Sequence, residues 1–153
     1  MKNRTSIRGL FRGDDGAELI EFALTAVILM VTILGTMEFG IAVWRYNMVS
    51  DLAQEGARWA SVRGTTSVAP ASAAAVGTYV QSRANGITVA VTTTTASGNG
   101  GSGACTSTAV NPSALAAGAG ICVRVQTSYG AISGLLPGGV LNMESTAKMV
   151  MAR

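Results

Sequence analysis

Few residues in this chain of 153 could do chemistry: eight carboxylates, two cysteines and no histidine. Without imidazole, serine-protease-type triads and histidine-ligated zinc are excluded. Glu144 is the only acidic residue after Glu55, so the distal half cannot assemble a paired-carboxylate acid–base site. These absences argue against an enzyme, and two cysteines without histidine leave no expected metal or cofactor. Arg63, Arg83 and Arg124 are too scattered in sequence for a nucleic-acid-binding patch and read as solvated surface. The carboxylate that stands out is Glu21, at the start of the run Phe22 to Met37, which holds 16 consecutive uncharged residues. A carboxylate at the edge of a hydrocarbon core is costly unless paired, so charge pairing is the chemistry it offers. The plainer alternative is a carboxylate resting among lipid headgroups at the end of a simple anchor.

The element that must position Glu21 is a long helix. A membrane-spanning helix needs about 20 apolar residues, and the run reaches that length with Ala17 to Ile20 before it and Phe39 to Trp44 after it. Lys2, Arg4, Arg8 and Arg12 precede the run and no further cation occurs until Arg45. The positive-inside rule therefore places residues 1–16 in the cytoplasm and the rest across the membrane, with Trp44 and Tyr46 near the outer interface. Beyond Gly40, the positions Ile41, Trp44, Met48, Leu52, Gly56 and Trp59 recur every three or four residues, while Arg45, Asp51, Gln54, Glu55 and Arg58 mostly take other faces. One helix over 17–62 is the economical reading, on the order of 65 to 70 Å long, of which about half projects beyond the bilayer. That half carries an apolar stripe and needs a partner. A cleaved secretion signal would instead end its apolar run at a small-residue cleavage site.

The order of basic leader, Gly16, Ala17, then Glu21 five residues after the glycine, then Phe22 and a long apolar helix resembles the processing site of type IV prepilins. The longer stretch from Gly16 to Gly64 is similar, more narrowly, to the TadE-like minor pilins, or pseudopilins, of Tad (Flp) pilus systems. Three motifs carry that resemblance in order: Glu21 and Phe22; Glu38, Phe39 and Gly40; and Glu55, Gly56, Ala57, Arg58, Trp59 and Ala60. About 50 residues are covered closely.

The resemblance implies a leader of residues 1–16, removed by a prepilin peptidase between Gly16 and Ala17. It implies a Glu21 that neutralises the free amine of a neighbouring subunit and helps set axial register, with Phe22 beside it. Cutting after Gly13 would put Glu18 at the fifth position, but only Glu21 is followed by phenylalanine and the unbroken apolar run. Glu38, Trp44, Arg58 and Trp59 are candidate partner contacts. For Glu38 the alternative is a carboxylate at the outer interface near Arg45, and for Arg58 and Trp59 it is helix surface packed on the chain's own head. The implied partners are the peptidase, other pilin subunits, the pilus assembly platform and, before assembly, the bacterial inner membrane, with the head exported and later extracellular. The implied function is pilus assembly or surface attachment. A chain of this length fits a minor subunit better than the main filament subunit. An unprocessed bitopic membrane protein with a partner-binding head is the competing class.

Residues 63–153 turn to Gly, Thr, Ser and Ala and predict a small α+β head. Pro70 opens a short helix over 71–84 with Val76, Tyr79 and Val80 on one face. Asn85-Gly86 marks a turn. Alternation predicts three strands: one around Ile87, Val89 and Val91; one around Ile121, Val123 and Val125 with Cys122, Arg124 and Gln126 on the opposite face; and one over 141–151. Glycine-rich stretches over 96–104 and 134–139 read as loops. Cys105 and Cys122 lie on the exported side, where an oxidising compartment favours a disulfide. Closing a loop of that size is worth about 3 kcal/mol in the chain-entropy model.

The composition agrees with this division. The chain is 48% hydrophobic but only 12% charged, against about 25% in typical soluble domains. Of the formal charge of +3, the first 16 residues hold +2, four cations against Asp14 and Asp15.

Overall fold

The computed structural model describes residues 15–98, 101–131 and 139–152. Helix α1 spans Asp15–Ser61 and is followed by α2, Ala73–Arg83. Four strands complete the head: β1, Ala90–Ala96; β2, Cys105–Ala109; β3, Gly120–Gly130; and β4, Val140–Val150. They form one antiparallel sheet in the order β2-β1-β3-β4. The fold is α+β, as the sequence pattern predicts.

The last third of α1 packs on one face of the sheet, mainly over β3 and β4, and α2 fills the remaining space. The buried face of α1 consists of Val49, Leu52, Ala53, Gly56, Ala57 and Ala60. Opposite stand Ile121, Val123 and Val125 of β3 and Val76 and Val80 of α2, with Met151 and Leu115 closing the far end. Most of the α1 side chains here are small, so the helix axis approaches the sheet closely. Gly56 sets the limit: a Cβ there would lie 2.7 Å from Cγ2 of Val80 and 3.3 Å from Cγ1 of Val123. The stripe expected through Ile41 and Trp44 therefore runs differently. Trp44 turns outward, and the next residue, Arg45, lies toward the head.

The N-terminus of α2 and the C-terminus of α1 are tied to other parts of the head. At α2, Oγ of Ser72 accepts from the Ala75 amide at 3.1 Å and Oδ1 of Asn111 accepts from the Ala73 amide at 2.8 Å, occupying donors that have no intrahelical partner. Asn85 and Gly86, both at positive φ, then turn the chain toward the sheet. At α1, the Ser61 carbonyl accepts from the Ala152 amide at 2.8 Å, which ties the chain's last residues to the helix end.

Two expectations need correction. The first strand begins at Ala90 rather than at Ile87 and continues to Ala96, because the threonine tract after Val91 behaves as strand and core. Thr93 is buried with its hydroxyl donating to the Val110 carbonyl at 2.5 Å, and Thr95 bonds Thr106 through their hydroxyls at 2.8 Å. The sheet has four strands rather than three: Cys105–Ala109 contains no large apolar residue and pairs along the outer edge of β1. A 3-10 turn at Pro112–Ala114 was likewise not anticipated. The predicted loop at 134–139 lies, but for Gly139, outside the described residues.

Cys105 and Cys122 form a disulfide with Cα atoms 6.0 Å apart. The bridge joins β2 to β3 across the intervening β1. Cys122 points away from α1, as its alternation predicts, yet the bridge leaves it buried.

A candidate assembly surface on the long helix

From Gly16 to Trp44, α1 has almost no cover. Leu19, Ile20, Phe22, Leu24, Val27, Ile28, Leu29 and Met30 are all well exposed. Its most apolar 18-residue window has a mean hydropathy of 2.2 and none of it is buried by the rest of the chain. Length and composition suit this helix to cross a membrane. Its threonines do not spoil that character. The hydroxyl of Thr25 donates to the Glu21 and Phe22 carbonyls, that of Thr32 to Ile28, and that of Thr36 to Thr32 and Ile33, at 2.8 to 3.0 Å. Each polar side chain is thereby satisfied within the helix, as a non-aqueous surrounding demands.

Gly16 and Ala17 lie in the first turns of α1, exposed, and nothing approaches within 4 Å of where a Cβ on Gly16 would stand. Glu21 and Phe22 are exposed one turn later. The leader before Asp15, with the alternative glycine at position 13, lies outside the described residues.

The third motif sits where α1 meets the head. Glu55 accepts a hydrogen bond from the Tyr79 hydroxyl at 2.8 Å and faces Arg83 at 3.6 Å. That hydrogen bond, followed by burial and the carboxylate's charge, raises the Tyr79 phenol above its ordinary 10.0. One turn on, Trp59 stacks on Tyr79 with centroids 4.9 Å apart, and the Arg63 guanidinium lies 4.1 Å over the indole. Gly56, Ala57 and Ala60 form the close seam. Arg58 alone of the six turns to solvent. Of the candidate partner contacts, then, Trp59 is engaged by the head and Arg58 is open.

Glu38 and Trp44 differ in the same way. Glu38 is 7% exposed, although residues on either side of it lie open. Two turns later Arg45, on the same face, places its guanidinium 4.8 Å over the ring of Tyr129. Among the described residues, neither the buried Arg45 Nε nor the buried Tyr129 hydroxyl has a hydrogen-bond partner, a cost that the cation–π contact offsets in part. Trp44 and Tyr46 flank Arg45, 57% and 52% exposed.

The far face of the sheet is polar. Glu144 pairs with Arg124 at 3.2 Å and accepts from Gln126 at 2.5 Å beside an open depression of about 550 Å³ that Thr88 and Asn142 also line. Lys148 donates to the Ser102 and Gly103 carbonyls. Among the described residues no group of three or more His, Cys, Asp or Glu is placed to hold a metal ion.

Sequence pattern alone could not foresee that Tyr79 and Arg83 converge on Glu55, or that Tyr129 receives Arg45. The one available signal was the 3.6-residue periodicity around Tyr79.

Comparison with known families adds a finding for this same helix. The family model described as TadE-like protein matches residues 16–58, nearly all of α1, and bears out the resemblance carried by the three motifs. No curated protein and no solved structure gives a significant match.

Proposed function

We propose that this chain, TadE-like along α1 and so grouped with pilus-associated proteins, is a minor pilin or pseudopilin of a Tad pilus. The observation that carries the reading is the match over an apolar helix whose N-terminal two-thirds the chain itself leaves bare. A surface of that kind is stable in only two settings, a lipid bilayer or a bundle of like helices. A pilin occupies both in turn. Before assembly α1 spans the inner membrane with residues 1–16 in the cytoplasm and the head exported. After a prepilin peptidase cuts between Gly16 and Ala17, the same surface packs against other subunits, and the assembly platform transfers the chain from one setting to the other.

Within the bundle, Glu21 neutralises the new amine at Ala17 of a neighbouring subunit. An unpaired charge among apolar helices is strongly disfavoured, so this pairing sets how far one helix can slide past the next. Phe22, exposed beside it, packs in the same contact. Arg58 and Trp44, which the head leaves open, contact neighbouring subunits, whereas Glu38 and Trp59 support the chain's own fold. The head carries its polar sheet face outward, toward pilus assembly or surface attachment rather than catalysis.

Replacing Gly16 with leucine tests the processing step. The variant is expected to accumulate as a longer, membrane-retained form, and normal mobility on a gel overturns the step. Glu21→Ala is expected to leave export and cleavage intact while reducing incorporation into filaments. Unchanged incorporation removes the charge-pairing role.

A further inference from the structure

The outer part of α1 keeps one face that the head does not use. At about 100° per residue, seven residues fall about 20° short of two turns, so Trp44, Asp51 and Arg58 stand one above another within about 40° of the helix circumference. All three are exposed, as are Asn47 and Gln54 beside them. The buried residues Val49, Leu52, Ala53, Gly56 and Ala60 take the opposite side, against the sheet and α2. Ile33, Met37 and Gly40 continue the same exposed face down the bare portion. Trp44 and Arg58, the two candidate partner contacts that the head leaves open, therefore share one line with Asp51.

Charge distinguishes this line. The other charged side chains of the outer helix are engaged by the head: Arg45 lies over Tyr129, and Glu55 is held by Tyr79 and Arg83. Among the described residues, neither Asp51 nor Arg58 takes part in an ion pair. They stand about 10.5 Å apart along their own helix, too far to be direct neighbours. On a solvated surface such charges need no partner. In a bundle of parallel α1 helices with the heads outside, however, this face turns onto neighbouring helices, where an unpaired charge is strongly disfavoured. Two copies in register would set Asp51 against Asp51 and Arg58 against Arg58, a costly juxtaposition of like charges. Moving one copy by seven residues along the axis keeps the same faces in contact and brings its Arg58 level with Asp51 of the other. Its Trp44 then comes level with Met37 of the other copy, which is 64% exposed, so apolar surface also meets apolar surface.

We infer that the face of α1 opposite the head binds a second copy of this chain displaced by two helical turns, about 10.5 Å, with Arg58 of one copy paired to Asp51 of the other. The inference rests on the pilin reading and names the neighbour that Arg58 and Trp44 contact. The contact is head-to-tail, because the residues paired on the two copies differ, so it has no two-fold symmetry. The chain accordingly enters a pilus beside another copy of itself and not as an isolated subunit.

Two tagged versions of the full chain, one with Asn47→Cys and the other with Gln54→Cys, are produced together in piliated cells, and sheared filaments are treated with a short bismaleimide. Both positions are exposed and lie seven residues apart on this face. The displaced arrangement joins residue 47 of one copy to residue 54 of the other, whereas helices in register join 47 to 47 and 54 to 54. The expected result is a clear excess of the mixed product. Asp51→Arg and Arg58→Asp, each introduced alone into both versions, are expected to lower that product about fivefold, the order of effect when an exposed ion pair becomes a repulsion. Combining the two reversals is expected to restore it. Like-to-like products in excess, no link between copies, or a combined variant no better than the single ones overturns the inference while the chain remains a filament component. If the chain is absent from the filaments altogether, the pilin reading fails and the inference fails with it.

Discussion

The two portions of α1 are one continuous helix, yet they are built for different surroundings. Over residues 16–44 most side chains are apolar, many of them large, and nearly all but Glu38 are uncovered; over residues 45–61 the buried face is made chiefly of Ala53, Gly56, Ala57 and Ala60. Large side chains suit a surface that must be apolar all round, because lipid or neighbouring helices touch every side. Small ones suit a face that meets a sheet at close range, where the larger residues come from the other side: Val76, Val80, Ile121, Val123 and Val125. Hydropathy thus identifies the first portion, and close packing explains the second. The same residue type changes meaning between them, since Gly35 and Gly40 have open space where Gly56 has none.

Substitutions that act on one portion and spare the other sharpen this contrast. The largest effect is expected from removing the disulfide. A head whose helix seam is made of small residues leans on its covalent link, and Cys105→Ser with Cys122→Ser is expected to cost it about 3 kcal/mol. Denaturant titration followed by Trp59 fluorescence measures this loss, while the helical signal of the bare portion in detergent stays unchanged. Next comes Gly56→Val, expected to destabilise the head by about 2 kcal/mol through overlap with Val80 and Val123. Gly40→Val in the same assay is expected to change head stability by less than about 0.5 kcal/mol. Equal effects of the two glycine substitutions would dissolve the distinction.

A smaller contribution is the stack of Trp59 on Tyr79, worth about 1 kcal/mol in a double-mutant cycle of Trp59→Ala with Tyr79→Ala. Trp44→Ala is expected to leave thermal unfolding of the head unchanged. The smallest effect is a pH dependence. The Tyr79 phenol titrates above 10.0 because its proton is shared with Glu55. A pKa raised on folding means that the contribution is whole below pH 10.0 and declines as pH rises through the raised value. Tyr79→Phe is expected to flatten the alkaline part of the stability curve relative to the unsubstituted chain.

Much of this was legible in the sequence where large apolar residues keep a period. The long helix, α2, β3, β4 and the cysteine pair all follow from pattern or compartment. The Thr92 to Thr95 tract was not legible as core, because threonine scores as polar until its hydroxyl finds a carbonyl, as Thr93 finds that of Val110. Strand β2 escaped because Cys105–Ala109 offers no apolar alternation and is held by pairing and by the bridge. In the candidate surface, the bare helix and Glu21 could be found from hydropathy and spacing. The seam was legible only in part: Leu52 and Gly56 stand in the expected stripe and are buried, but Ala53, Ala57 and Ala60 carry little hydropathic signal, and the stripe took Trp44 in place of Val49. The burial of Glu38 depends on where the head ends along the helix, which only the three-dimensional register reveals.

The central claim is that the bare portion of α1 serves first as a membrane span and then, after cleavage, as a filament contact. Mass spectrometry of mechanically sheared filaments tests it most directly, because presence, abundance and N-terminus are read from one sample. The account predicts the chain as a minor component beginning at Ala17. A chain confined to the membrane fraction with Met1 intact would contradict it.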